Sequence, residues 1–184
     1  LLIYRYGADL VYHGGLNVIT SLDVDIQGLA LEAAREQIAA ISEKYNAHNA
    51  AVVVLDAKTA EIRAMVGSVN YDDPSIDGQV NMSLVPRQPG SSFKPYVYAT
   101  AFAQGYTPAT MVMDVRTSFP DPYNLAPYVP ENYSRNFHGP MLLRRALACS
   151  YNVPAVAMTQ KVGVESVLET AHTMGINTLN QPSY

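Results

Sequence analysis

Ser91 and Lys94 stand three residues apart in Arg87-Gln88-Pro89-Gly90-Ser91-Ser92-Phe93-Lys94-Pro95. Pro89-Gly90 breaks the preceding chain, so a helix is expected to begin near Ser91 and run to about Gln104. Residues three apart on a helix share a face. That spacing predicts the Lys94 amine one turn above the Ser91 hydroxyl. A serine hydroxyl attacks a carbonyl only when a base takes its proton. A lysine is that base only when neutral, and burial together with a helix N-terminus lowers its pKa in that direction. The same positive helix end favours an oxyanion. The chemistry this pair suits is acyl transfer through a covalent serine intermediate. Pro95 has no N–H to give back to Ser91, which leaves the Ser91 carbonyl free of the usual helical bond.

Acyl transfer also needs a group to carry a proton to the leaving amine. Ser-x-Asn occurs three times, as Ser68-Val69-Asn70, Ser134-Arg135-Asn136 and Ser150-Tyr151-Asn152. The first ends a strand and the second lies in a proline-rich loop. The third follows a short helical run, Leu142 to Cys149, and a turn between two helices fixes a hydroxyl well. Ser150 is the candidate relay and Asn152 the candidate amide-binding group. The bland alternative is a serine that caps the next helix.

These groups must be held by a folded scaffold. The chain has 184 residues, 48% apolar and 15% charged, with a net charge of −4. That is enough for a sizeable core and too apolar for disorder. No Lys/Arg run points to nucleic acid. His13, His48, His138 and His172 show no metal-ligand spacing, and no metal or cofactor is expected. The single cysteine, Cys149, forbids an internal disulfide and reads as a small buried thiol. No apolar run approaches the roughly 18 residues that span a bilayer. The abrupt Leu1-Leu2-Ile3-Tyr4 start reads as the edge of a longer protein.

Along the chain, residues 1–20 alternate loosely around Gly14-Gly15, which predicts one or two short strands and a turn. Asp23 caps an amphipathic helix over residues 24–45. Residues 50–56 and 61–68 form an antiparallel hairpin, its first strand apolar enough to be buried on both faces. Residues 106–140 hold six of the twelve prolines and read as a long irregular segment. Helices follow near 141–149, 153–161 and 164–174, the last stopped by Gly175.

Taken together, Gly90-Ser91-Ser92-Phe93-Lys94-Pro95, Tyr128-Val129-Pro130-Glu131-Asn132-Tyr133, Gly139 and Leu143 through Ala155 resemble the transpeptidase domain of class A, bifunctional penicillin-binding proteins. Gly15 through Asp23 with Gln27 resembles the segment that leads into that domain, and the hairpin ending Ala64-Met65-Val66-Gly67 fits as well. The resemblance implies an α+β penicillin-binding-protein/β-lactamase-like fold, an antiparallel sheet flanked by helices. It implies residues 1–22 as a linker with strands from a preceding glycosyltransferase module. Residues 23–184 are then the N-terminal portion of the transpeptidase domain.

By the same resemblance Ser91 attacks the D-Ala-D-Ala amide of a peptidoglycan stem peptide and Lys94 takes its proton. Ser150 passes a proton to the departing D-Ala and Asn152 holds the acyl chain. An amine from a neighbouring stem peptide resolves the acyl-enzyme, and β-lactams acylate the same serine. Asn132 and Tyr133 line the cleft. The implied location is the bacterial cell envelope, on the outer face of the cytoplasmic membrane.

The family's Lys-Thr-Gly strand is absent, since Lys58-Thr59-Ala60 lies in the hairpin turn, where Ala60 replaces a usual Gly. A fragment is therefore expected, completed by the C-terminal remainder of the domain or by a second copy at an open sheet edge. Two alternatives stand beside transpeptidation: a D,D-carboxypeptidase or β-lactamase-type hydrolase, and a catalytically incomplete binding module.

Overall fold

Asp23 turns the chain into its longest helix by accepting the free N–H groups of Asp25 and Ile26 at 3.0 and 3.1 Å. The computed structural model describes residues 2–120 and 126–179. The chain divides into two compact units, Leu1–Val85 and Pro86–Tyr184.

In the first unit, α1 (Leu2–Tyr6) and α2 (Ala8–His13) precede the long α3 (Val24–Tyr45). The two short helices correct the strands expected over residues 1–20. A strand must find a neighbour for its backbone groups, whereas a helix satisfies them within itself. Gly7, at φ 81°, separates the helices, and the expected break at Gly14-Gly15 ends the second. Neither helix buries a side chain.

The hairpin forms as expected, with β1 (Val52–Leu55) antiparallel to β2 (Ile62–Val66) and a register shift at Val54/Leu55. Ala30 of α3 packs with Ala64 and Val66, and Ile26, Leu31, Val52 and Val54 close the cluster. Val53 and Leu55 are exposed on the other face, at 45% and 56%. The first strand is therefore covered on one face, not two. A run of β-branched residues reports strand propensity and cannot by itself count the covering layers.

The outer edge of β2 is not bare. The Gln27 side chain accepts from Met65 N at 2.8 Å and donates to Met65 O at 3.3 Å, as a neighbouring strand would. Asp23 N and the Ser21 hydroxyl donate to the carbonyls of Arg63 and Ile62. These bonds blunt the open edge expected from a two-stranded sheet.

In the second unit, a 3₁₀ turn (Gly90–Phe93) runs straight into α4 (Lys94–Ala103). The Ser91 carbonyl accepts the N–H of Lys94 instead of standing free. Pro95 removes the donor four residues on, so the turn tightens to the donor three residues on. The stretch 106–140 is less irregular than expected. There β3 (Met111–Asp114) pairs antiparallel with β4 (Gly139–Leu142), and Phe119 bridges Tyr128. Pro140 lies opposite Met113 within the pair, and a proline inside a strand hides that strand from a sequence reading.

The unit closes with α5 (Leu143–Ala148), α6 (Asn152–Val162) and α7 (Val164–Thr173). Its core joins Val97, Tyr98 and Ala101 of α4 to Leu143, Ala146, Met158 and Val167. Gly175, at φ 98°, ends α7 as expected: Ile176 N donates to Ala171 O and Gly175 N to His172 O. Cys149 is exposed, correcting the buried thiol, because it caps the solvent side of α5.

Ala60 occupies the left-handed region at φ 58°, which disfavours a residue with a Cβ. Ala60→Gly is expected to raise stability by up to about 1 kcal/mol, read as a higher denaturant midpoint at unchanged slope. A lower midpoint would show that the turn carries no strain at this position.

Candidate active site

Lys94 opens α4 and is 9% exposed, held down by the packing of Val97, Tyr98 and Ala101 behind it. A buried amine needs oxygen acceptors for its three N–H bonds. Lys94 Nζ lies 2.5 Å from the Ser150 carbonyl, 3.2 Å from Ser150 Oγ and 2.6 Å from Asn152 Oδ1. Burial pushes its pKa below the ordinary lysine value. The three acceptors pull the other way by solvating the ammonium.

Ser91 sits in the 3₁₀ turn and is exposed. Among the described residues no hydrogen bond reaches its hydroxyl. The sequence spacing predicts an amine at that hydroxyl, whereas here the amine turns toward Ser150 and Asn152. Three oxygens in one direction outweigh one hydroxyl in another. Ser92 is occupied elsewhere, donating to Pro89 O at 2.6 Å.

Ser150 lies between α5 and α6, where α5 ends in a paired-bond cap. Tyr151 N donates to Ala146 O and Ser150 N to Leu147 O. The residue that makes both bonds possible must be left-handed, and this position usually holds glycine. Ser150 takes it with φ 53°. The cap leaves the Ser150 carbonyl for Lys94.

Asn152 is the first residue of α6. Its side chain is fixed at both ends: Oδ1 at Lys94 Nζ, and Nδ2 donating to Glu131 O at 2.7 Å. Its backbone N–H donates to Asn132 Oδ1 at 2.8 Å.

The other two Ser-x-Asn triplets serve their own loops. Ser68 Oγ donates to Asn49 Oδ1 at 3.1 Å, and Ser134 Oγ accepts Asn136 N at 3.4 Å. Among the described residues the third triplet alone meets Lys94. Of the two residues expected along the cleft, Asn132 is buried at the first residue of α6 and Tyr133 is 98% exposed. Tyr98, one turn beyond Lys94, is pushed up to about 12 by burial, so it stays neutral and is no rival base.

The sequence reading passed over Asp114 and His138. Asp114 is fully buried and His138 Nδ1 lies 2.7 Å from its Oδ2. The available signal was a carboxylate at an inward position of the alternating Met111-Val112-Met113-Asp114 strand.

Comparison with known proteins follows the same lines. The family model described as penicillin binding protein transpeptidase domain matches residues 50–182. Penicillin-binding protein 1A of Aquifex aeolicus is 36% identical over 72% of this chain and 18% of its own length. Penicillin-binding protein 1B of Vibrio cholerae is 36% identical over 89% and 21%. Penicillin-binding protein 1C of Escherichia coli K12 is 31% identical over 86% and 20%. The chain thus spans about a fifth of these curated relatives.

Among solved structures, penicillin-binding protein 1A from Haemophilus influenzae superposes with a TM-score of 0.60 at 32% identity, over 69% of this chain and 18% of that one. PonA1 from Mycobacterium tuberculosis shares the fold with a TM-score of 0.74 at 22% identity, over 96% and 43%. With a partial α+β fold of this kind and a family match across most of its length, the chain belongs to the penicillin-binding protein transpeptidase domain family.

Proposed function

We propose that this chain carries the nucleophile, base and proton relay of a peptidoglycan D,D-transpeptidase acting through a Ser91 acyl-enzyme. The observation that carries the reading is the buried Lys94 amine drawn against both Ser150 and Asn152. Ser91 Oγ attacks the carbonyl carbon of the penultimate D-Ala of a stem peptide and gives its proton to neutral Lys94. The C–O bond forms first and gives a tetrahedral oxyanion, which re-forms the carbonyl as the C–N bond breaks. The proton passes from Lys94 Nζ to Ser150 Oγ, 3.2 Å away, while Ser150 hands its own proton to the departing amine. Asn152 binds the acyl donor's amide. A second stem peptide's amine then takes the acyl group and Ser91 regains its proton. A β-lactam enters by the first step.

The names of the relatives over 30% identical support this class, and they support the bacterial cell envelope as the setting. No helix among the described residues is long and apolar enough to cross a membrane. The relatives' greater length supports a cleft completed by a C-terminal remainder of the domain over one completed by a second copy at the sheet edge.

Ser150 favours the same reading. A left-handed residue with a Cβ costs about 1 kcal/mol where glycine costs nothing. Strain kept at a proposed relay is what a needed side chain would demand.

The direct test is intact mass after incubation with a penicillin. A stable adduct localised to Ser91 is expected, and Ser91→Ala should abolish it. Labelling that survives this substitution sinks Ser91 as nucleophile, and rapid turnover of the adduct favours the hydrolase.

Ser150→Gly relieves the left-handed strain but takes one acceptor from the buried Lys94 amine, so stability is expected to stay within about 1 kcal/mol of the parent, while acylation slows roughly 10²–10⁴-fold. An unchanged acylation rate would remove Ser150 from the relay. The acid limb of acylation should fall below the ordinary lysine pKa, because burial lowers that of Lys94 and only its neutral form accepts a proton. An acid limb centred at or above that value would exclude Lys94 as the base.

A further inference from the structure

Asp114 is the last residue of β3 and its side chain is fully buried. A buried carboxylate is costly unless donors surround it. Among the described residues no Lys or Arg pairs with it. Its donors are instead Asn132 Nδ2, at 2.8 and 2.9 Å from its two oxygens, His138 N at 3.0 Å, and His138 Nδ1 at 2.7 Å.

Both donor residues lead directly to the Ser150–Asn152 stretch. Asn132, its amide oriented by the carboxylate and by a further bond to Asn136 O at 2.9 Å, presents Oδ1 to Asn152 N at 2.8 Å. His138, held by the Oδ2 of the same carboxylate, stacks on the Tyr151 ring with centroids 4.3 Å apart. Tyr151 and Asn152 are therefore gripped at two points, by two groups that converge on one buried carboxylate. Ser150 precedes them and presents its carbonyl and hydroxyl to Lys94.

We infer that Asp114 is a positioning residue of the site. By orienting Asn132 and His138 it sets the place of Ser150 and Asn152 against Lys94, without touching any reacting group itself. The inference rests on the reading that Ser91 is acylated with Lys94 and Ser150 moving its proton. A carboxylate suits the task because it accepts only, so neither donor residue is free to flip its polarity.

Asp114→Asn keeps the size of the side chain but sets an NH₂ group among N–H donors. In the full-length protein, acylation by a penicillin separates into a dissociation constant for the non-covalent complex and a first-order acylation rate constant. The substitution should lower the rate constant roughly 10–100-fold, as misplacement of catalytic groups by less than an ångström does. The dissociation constant should stay within about twofold, since the lost interaction belongs to the transition state. A wild-type rate constant, or a loss carried wholly by the dissociation constant, overturns the inference.

Should Asp114→Asn fail to melt cooperatively, His138→Phe decides. It keeps a ring over Tyr151 and removes only the ring's bond to the carboxylate, leaving the backbone N–H of residue 138 in place. A several-fold lower rate constant supports the inference, and an unchanged one overturns it. Exchange of the Asn152 amide hydrogen reads the same link without any chemistry. It should quicken at least about tenfold in the Asp114 variant, and unchanged protection overturns the inference even where no acylation occurs. Absence of a wild-type adduct on Ser91, with Asn152 protection lost in the variant, would instead condemn the acyl-enzyme reading and leave the positioning role standing.

Discussion

A lysine amine taken out of water must find oxygen for each of its N–H bonds. In this chain that requirement joins the start of α4 to the junction of α5 and α6. Lys94 is buried because Val97, Tyr98 and Ala101 pull the first turns of α4 into the core of the second unit. Its three acceptors come from two residues, Ser150 and Asn152, on either side of Tyr151. The amine has no such set of acceptors within its own helix. Docking of α4 and geometry of the Ser150 turn therefore depend on one another.

The surrounding backbone is arranged to meet that demand. Pro95 denies Ser91 its helical donor, so the helix starts as a 3₁₀ turn that leaves the Ser91 hydroxyl at the surface. Gly90, at φ 54°, allows the sharp approach to that turn. At the other side, the cap of α5 satisfies the carbonyls of Ala146 and Leu147 from within, which spares the Ser150 carbonyl for the amine. Helix ends of this kind carry groups with the precision of the packed helices behind them.

Local rules of stability are broken where these groups meet. Lys94 is a buried amine, Asp114 a buried carboxyl group with no Lys or Arg partner among the described residues, and Ser150 a left-handed residue with a side chain. Elsewhere the chain mostly follows the rules, left-handed Ala60 in the hairpin turn being an exception: Asp23 caps α3, Gly175 stops α7, and apolar residues fill the two cores. Three such exceptions gathered in one neighbourhood mark a site that the rest of the fold stabilises.

The sequence by itself determined whatever depends on near neighbours in the chain. The Asp23 cap and apolar stripe wrote α3, a β-branched apolar run followed by an alternating one wrote the hairpin, and Pro89-Gly90 before Ser91 wrote the start of α4, because caps, turns and helical bonds join residues a few positions apart. It also carried the Ser91–Lys94 spacing and the three Ser-x-Asn triplets, and the family resemblance that singled out the third. Other features were settled only by contacts between distant residues. Lys94 meets Ser150 and Asn152 across 56 and 58 positions, and Asp114 meets Asn132 across 18. The β3–β4 pair behind Pro140, the helices over 2–13 and the exposure of Cys149 belong to the same class. Which oxygens a buried charge finds depends on which helices pack together, and that information lies in no single stretch of chain.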